Sequence, residues 1–273
     1  MQVARALDWK YPVKLQSLRE EEFKSGRYRA MAAHRVRAGA DAQGRLTAFH
    51  QAVAAEPTSP NLPFVANFLL RNGVDYMTAS GAVDGPYTMA NFKLETTNVQ
   101  TGVPIMVWRS VGNSHTEFAR ESAIDELAAA AGRDPADLRR DLLADNPRTR
   151  AALDLAAERA GWGTSLPPGR ARGIACSNFL SHSAQVTEIS LDNREVVGGD
   201  GGEIITQSFD RYPVMRMQSV PQIEVLLIES GEPPTGVGEV SVPTAAPALA
   251  SAIFAATGTR IRRLPISKTI RVL

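Results

Sequence analysis

The stretch best suited to chemistry is Glu232-Pro233-Pro234-Thr235-Gly236-Val237-Gly238-Glu239. Two prolines stiffen the approach, and two glycines let the backbone pass close to another group. Glu239 is thereby presented on a constrained main chain just ahead of an apolar helix. A carboxylate held in this way suits a general base, since a base that loses its proton somewhat below neutral pH is ionised and ready at neutral pH. The same residues also describe a tight turn whose glutamate complements the positive end of the next helix, and spacing alone favours that plainer reading. The Gly-x-Gly is no dinucleotide fingerprint, because the third glycine and the strand–turn–helix context are missing. A second candidate is Trp108-Arg109-Ser110-Val111-Gly112-Asn113. Its amides and Arg109 could bind an anion at the start of a helix, or form an ordinary strand-to-helix turn with a surface arginine.

The remaining reactive residue types point away from chemistry. His34, His50, His115 and His182 show no i,i+3 or i,i+4 pair, so a zinc site is unsupported. Cys176 sits in an apolar run with Ile174 and Ala175 and reads as an inert packed thiol. Trp9, Trp108 and Trp162 are too dispersed to form a base-stacking platform.

The elements that would position these residues follow from periodicity. Residues 1–7 read as the tail of a helix, 13–18 as a strand, and 19–29 as a charged connector. Residues 33–39 and 45–55 alternate around Asp41-Ala42-Gln43-Gly44 and predict an antiparallel hairpin. Residues 62–70 suggest a short helix and 92–98 a strand. Ser114 and Glu117 have capping-box spacing, which predicts a helix from 114 to Gly132. Asp134-Pro135 opens a second helix and residues 148–160 form a third. Strands return at 173–176, 185–191, 203–207 and 222–229, interrupted by four glycines within 198–202 that read as a linker. A final helix spans 244–257. The class is therefore α+β, with mixed and antiparallel sheets around a central helical block.

Composition sets the outer bounds. The chain has 273 residues, 44% hydrophobic and 22% charged, with a net charge of +1. This gives no field for nucleic acid or for an anionic membrane surface. One cysteine excludes an internal disulfide and a cysteine-rich metal site. No apolar run approaches the roughly 20 residues of a membrane span, and no signal-peptide core is visible at the N-terminus.

Taken together, the ordered motifs resemble one family. Val107-Trp108-Arg109-Ser110-Val111-Gly112-Asn113-Ser114 leads into Glu121-Ser122-Ala123-Ile124-Asp125-Glu126-Leu127-Ala128. Later come Pro233 to Glu239, Ala246-Pro247-Ala248-Leu249-Ala250, Ile253 to Gly258, and Arg260-Ile261-Arg262-Arg263-Leu264-Pro265. Arg27-Tyr28-Arg29, Gln43-Gly44 and residues 210–217 extend the likeness over nearly the whole chain. The set resembles the molybdenum-binding large subunit of the xanthine dehydrogenase/aldehyde oxidase family, in its isoquinoline 1-oxidoreductase β-subunit-like branch.

What the resemblance implies is a molybdenum cofactor-binding domain-like fold and an oxidoreductase that hydroxylates an aldehyde or an N-heterocycle with water-derived oxygen. The implied cofactor is molybdopterin cytosine dinucleotide carrying Mo, and whether this chain retains it stays open. Electrons would leave through a partner [2Fe-2S] small subunit. By matching positions, Glu239 would be the catalytic base. Gly236, Val237 and Gly238 would lie against the metal ligands, with Arg109, Gly112 and Asn113 in the approaching loop and Gln185 on a nearby strand.

The departures matter equally. The family's glycine- and phenylalanine-rich loop and its dinucleotide-holding loop are absent, and a segment between Leu191 and Glu203 is much shortened. The sequence thus reads as residues 1–273 of a partial molybdopterin-binding domain, a C-terminal fragment with an internal deletion and sub-parts 1–165 and 166–273. The isolated chain is expected to be folded but largely inactive, because a site enclosed from one side cannot exclude water. The alternative is a cofactor-free scaffold or interaction domain without catalysis. Self-association through uncovered apolar surface fits either case, and the sequence leaves cytoplasm and periplasm equally open. A nucleotide-binding role for the 198–202 glycines is disfavoured, since no lysine or helix start follows them.

Overall fold

The computed structural model describes residues 1–62, 69–190 and 216–266. The chain divides into two compact units, Met1–Arg27 with Gly198–Glu224, and Tyr28–Val197 with Val225–Leu273. Among the described residues the smaller unit contains α1 (Gln2–Ala6), α2 (Arg19–Ser25) and a 3₁₀ turn, Met217–Ser219. The expected N-terminal helix is present. Residues 13–18, expected as a strand, are exposed and form no ladder with any described residue. Much of the charged connector is instead helical: Glu21 accepts a hydrogen bond from the Leu18 amide at 3.1 Å, and Arg19 pairs with Glu22 at 2.6 Å.

The larger unit opens with β1 (Ala32–Ala40) and β2 (Leu46–Ala55), the expected antiparallel hairpin. The Asp41 carboxylate accepts from the amides of Gln43 and Arg45 at 3.0 and 2.9 Å, and Gly44 takes the left-handed conformation that the turn requires. A small hairpin of β3 (Leu70–Arg71) and β4 (Val74–Asp75) leads into the short helix α3 (Tyr76–Ala79). β5 (Phe92–Asn98) then returns parallel to β2, giving a mixed three-stranded sheet in the order β1-β2-β5.

Next come α4 (Asn113–Ala130), α5 (Pro135–Leu142) and α6 (Pro147–Arg159), followed by the antiparallel pair β6 (Arg170–Ser177) and β7 (Ser183–Ser190), and then α7 (Val242–Thr257). α5 starts where its sequence cap lies, with the Asp134 carboxylate accepting from the amides of Ala136 and Asp137. Asn146 caps α6 in the same manner, and Gly258 ends α7 in the left-handed conformation. The architecture is α+β, as expected.

Two further expectations are corrected. The capping box at the head of α4 does not form: the Ser114 hydroxyl donates to the Val111 carbonyl at 2.7 Å, and Glu117 is drawn into the interior by Arg120. Residues 222–229, expected as a strand, have no ladder partner among the described residues and leave Val225 and Leu227 exposed. The expected strand at 203–207, the 198–202 glycines and most of the expected helix at 62–70 lie outside the described residues.

α4 is buried on most of its circumference. Ile124 and Ala128 pack with Phe49, Leu138 and Leu142, while Phe118 meets Ala250, Ile253 and Ile261 around α7. A third cluster joins Leu143, Leu153, Ile174 and Cys176. α7 lies close against β6 because both present small residues. A Cβ placed on Gly173 would collide with the Ala248 carbonyl oxygen and the Ala252 amide nitrogen.

Charges are also buried in α4. Glu121 is wholly enclosed, and its carboxylate accepts from Arg139 Nε at 2.9 Å, from the Tyr87 hydroxyl at 2.6 Å and from the Cys176 amide at 3.1 Å. One turn away Glu117 pairs with Arg120 at 2.5 Å, but Glu117 Oε2 has no hydrogen-bond partner among the described residues. Burial pushes the Glu117 carboxyl up to about 7, against the pull of Arg120 and helped by the charges of Glu121 and Asp84.

Two outcomes follow from this packing. Gly173→Ala should cost about 1–3 kcal/mol in urea unfolding, since the collision is with backbone that cannot rotate away. For Glu117 the folded carboxyl binds its proton more tightly than the unfolded one. Its contribution is therefore intact below about pH 4.5 and is lost as pH rises toward 7. The stability difference between the wild type and Glu117→Gln should shift toward the variant by up to a few kcal/mol over that window. A difference that stays flat with pH in paired thermal melts would contradict the assignment.

Candidate functional site

The turn ahead of α4 is built from a conformation most residues avoid. Ser110 and Val111 both have positive φ, 68° and 42°. Outside glycine this geometry costs roughly 1–2 kcal/mol per residue and persists only where the surroundings impose it. Three contacts do so. The Val111 amide closes the turn on the Trp108 carbonyl at 2.8 Å. Arg29 gathers the far side, donating to the Arg109 carbonyl at 3.0 Å and the Ser114 hydroxyl at 2.7 Å. Arg29 is itself placed by the parallel bridge between Tyr28 and Ile105. Gly112 seats the turn on α3, its amide donating to the Met77 carbonyl at 3.1 Å, and a Cβ there would meet that oxygen at 2.5 Å.

The other half of the site arrives from 129 positions further along the chain. The Ser110 amide donates to Glu239 Oε2 at 2.5 Å, and the Ser110 hydroxyl donates to the Glu239 backbone carbonyl at 2.5 Å. The following residue is fixed as well, since the Ser183 hydroxyl of β7 donates to the Val240 carbonyl at 2.9 Å. The two stretches singled out in the sequence therefore meet, at Ser110 and Glu239. Ser110 is fully buried and Glu239 partly so. Glu239 Oε1 has no hydrogen-bond partner among the described residues, so one oxygen is held and the other is available.

The remaining predicted residues fall into two groups. Arg109 is exposed, Val237 is 68% exposed, and a Cβ on Gly236 or Gly238 would meet nothing within 4 Å. This side of the site is open. Gly112 and Asn113 instead face the interior, where Asn113 Nδ2 donates to the buried Ser80 hydroxyl at 3.1 Å. Gln185 lies near the start of β7 with both ends occupied: Nε2 donates to Thr187 at 3.1 Å, and Oε1 accepts from Thr244 at the head of α7 at 3.3 Å.

Several polar residues close behind the site escaped the sequence reading. His34 Nε2 and His115 Nδ1 lie 3.0 Å apart, although 81 positions separate them. Gln51 Nε2 donates to the Thr116 carbonyl at 3.2 Å and lies 3.3 Å from His34 Nδ1. Burial lowers His34 to about 4 and His115 to about 3, the latter also under the influence of the charges of His34 and Arg29, so both rings are neutral at neutral pH. The only advance signal was their placement on inward-facing positions, His34 beside Val36 on β1 and His115 in the first turn of α4. Among the described residues no group of three or more His, Cys, Asp or Glu side chains is arranged to hold a metal ion. Burial pushes the Cys176 thiol well up, as expected for an inert packed cysteine. No helix among the described residues is long and apolar enough to cross a membrane.

Comparison with known proteins places this geometry in context. A nicotinate dehydrogenase subunit of Pseudomonas putida is 32% identical over 244 residues, covering 67% of this chain and 20% of that protein. The β-subunit of isoquinoline 1-oxidoreductase from Brevundimonas diminuta is 25% identical, covering 91% of this chain and 37% of its own length. Among solved structures, quinoline 2-oxidoreductase from Pseudomonas putida 86 aligns with a TM-score of 0.48 and 21% identity, over 65% of this chain and 25% of that one. This chain thus spans well under half the length of these relatives. The family described as the molybdopterin cofactor-binding domain matches residues 1–143. That match covers the first sheet, α4, α5 and the turn bearing Arg109 and Ser110, and the chain belongs to the molybdopterin cofactor-binding domain family.

Proposed function

We propose that this chain supplies one wall of the active site of a molybdenum hydroxylase, with Glu239 as its general base. The observation that carries the reading is the meeting of Ser110 with Glu239. Two motifs far apart in sequence converge so that one carboxylate oxygen is held and the other is left open. The residues present fit one face of a molybdopterin group. Gly236 and Gly238 leave clear space where a side chain would stand, and Arg109, next in sequence to the Ser110 that holds Glu239, is exposed. In this reading the backbone of Gly236, Val237 and Gly238, together with Arg109, would hold that face. Gly112 and Asn113 shape the turn from beneath, and Gln185 braces β7 against α7.

The cofactor, taken here as molybdopterin cytosine dinucleotide with Mo, supplies the redox centre that accepts electrons as water-derived oxygen is installed on the substrate. The protein's part is proton movement and positioning. Glu239 Oε1 takes up the proton released by the transferred oxygen, while Oε2 remains on the Ser110 amide. The substrate class that suits this chemistry is an aldehyde or an electron-poor N-heterocycle. The names of the relatives, which include a nicotinate dehydrogenase and an isoquinoline oxidoreductase, support the same class. Both are named as subunits, which supports a separate [2Fe-2S] subunit as the electron acceptor.

The exposure of Val237 and the open space at both glycines support a site whose walls are completed by polypeptide other than the described residues. The chain alone is therefore expected to turn over little, because preorganised electrostatics require a site closed to water. The same openness is what a cofactor-free scaffold would show. In the assembled enzyme, Glu239→Gln should lower kcat by about 10²–10⁴-fold while molybdenum content stays unchanged. Activity within threefold of wild type at equal molybdenum would favour the scaffold reading.

A further inference from the structure

We infer that Ser110 is the positioning residue for Glu239, gripping it at two points so that a single carboxylate oxygen faces the reacting group. The inference rests on the reading of Glu239 as the base and adds the element that aims it. Backbone conformation is the first argument. At φ 68° glycine is the residue of least strain, yet serine is found there, and its side chain is fully buried. The hydroxyl offsets that strain with one specific contact, to the main-chain carbonyl of Glu239 at 2.5 Å.

The second argument is the division of labour between the two contacts. The amide takes Glu239 Oε2 at 2.5 Å, which fixes the side chain, while the hydroxyl fixes the main chain from which that side chain springs. Either contact alone would leave a rotation free; together they define where Oε1 stands. The grip has its own footing. Val111 also lies at positive φ, Arg29 clamps the carbonyl of Arg109, and Gly112 admits no Cβ against Met77, so Ser110 cannot drift without unseating α4 from α3. On the other side Glu239 sits between two glycines' worth of open space and the Ser183 contact to Val240, so Ser110 is the contact that restrains its side chain.

Ser110→Gly separates positioning from stability. It keeps the amide donor, removes the hydroxyl and relieves the positive-φ strain. A serine with a merely structural role would leave Glu239 undisturbed. In the isotope-labelled full chain, the Ser110 amide proton should lie well downfield, as a short bond to a carboxylate requires, and Glu239→Gln should move it upfield. In Ser110→Gly the melting temperature should hold or rise, while the χ1 couplings of Glu239 change from a single rotamer to an average. In the assembled enzyme the same variant should lower kcat about tenfold with KM unchanged. An amide that ignores Glu239, or a Glu239 rotamer and kcat that both survive Ser110→Gly, would overturn the assignment. Failure of the base reading is separately visible, since Glu239→Gln would then remain active while the coupling between the Ser110 amide and Glu239 persisted.

Discussion

The buried pair of Glu121 and Arg139 is the interaction on which the larger unit depends. Both side chains are withdrawn from water completely, so the pair is tolerable only if every remaining polar atom is satisfied. It is satisfied by parts of the chain that have no other reason to meet. The Tyr87 hydroxyl comes from the segment before β5, the Cys176 amide from β6, and Arg139 also donates to the Glu121 and Pro135 carbonyls. Removing one member would leave a charge buried without its partner, at a cost of about 3–5 kcal/mol. The network specifies which strand, which helix and which loop surround α4, a demand that apolar packing alone makes only weakly.

From that fixed helix the site follows by short steps. α4 carries Asn113 and Thr116 at its head, both bonded to the segment around Ser80, and this sets where the preceding turn must lie. Gly112 and Arg29 then force Ser110 and Val111 into left-handed conformations, which turns the Ser110 amide and hydroxyl toward Glu239. From the other direction, Gly173 lets α7 settle on β6, and Ser183 of β7 holds Val240. The contact between Ser110 and Glu239 is thus where the turn ahead of α4 meets the segment that leads from Glu239 into α7.

Much of this was legible in the sequence. Asp134-Pro135, Gly258, the turn at Asp41 to Gly44 and the strand at 92–98 follow local rules, and all formed as expected. Both candidate site stretches were visible as well, although spacing alone fitted an ordinary turn better and the family resemblance was what singled them out. What was hidden depended on partners distant in sequence. Glu117 resembled a helix cap until Arg120 and burial claimed it, and His34 and His115 carried no spacing signal across 81 positions. Residues 222–229 are as rich in β-branched and apolar side chains as a strand should be, but a ladder needs a neighbour, and composition cannot say whether one is there. Ser110 was part of a recognised stretch, yet its conformation, and hence its reach to Glu239, is set by Arg29 and Met77.

In the proposed function the described residues build one wall of a molybdopterin site rather than a complete pocket. Molybdenum content per chain tests it most directly, measured on the chain purified alone from a host that makes the cofactor and again on the assembled enzyme. The account predicts metal near background on the chain alone and close to one per chain in the assembly. Stoichiometric molybdenum and turnover on the isolated chain would contradict it, as would an assembly that contains this chain and never acquires the metal.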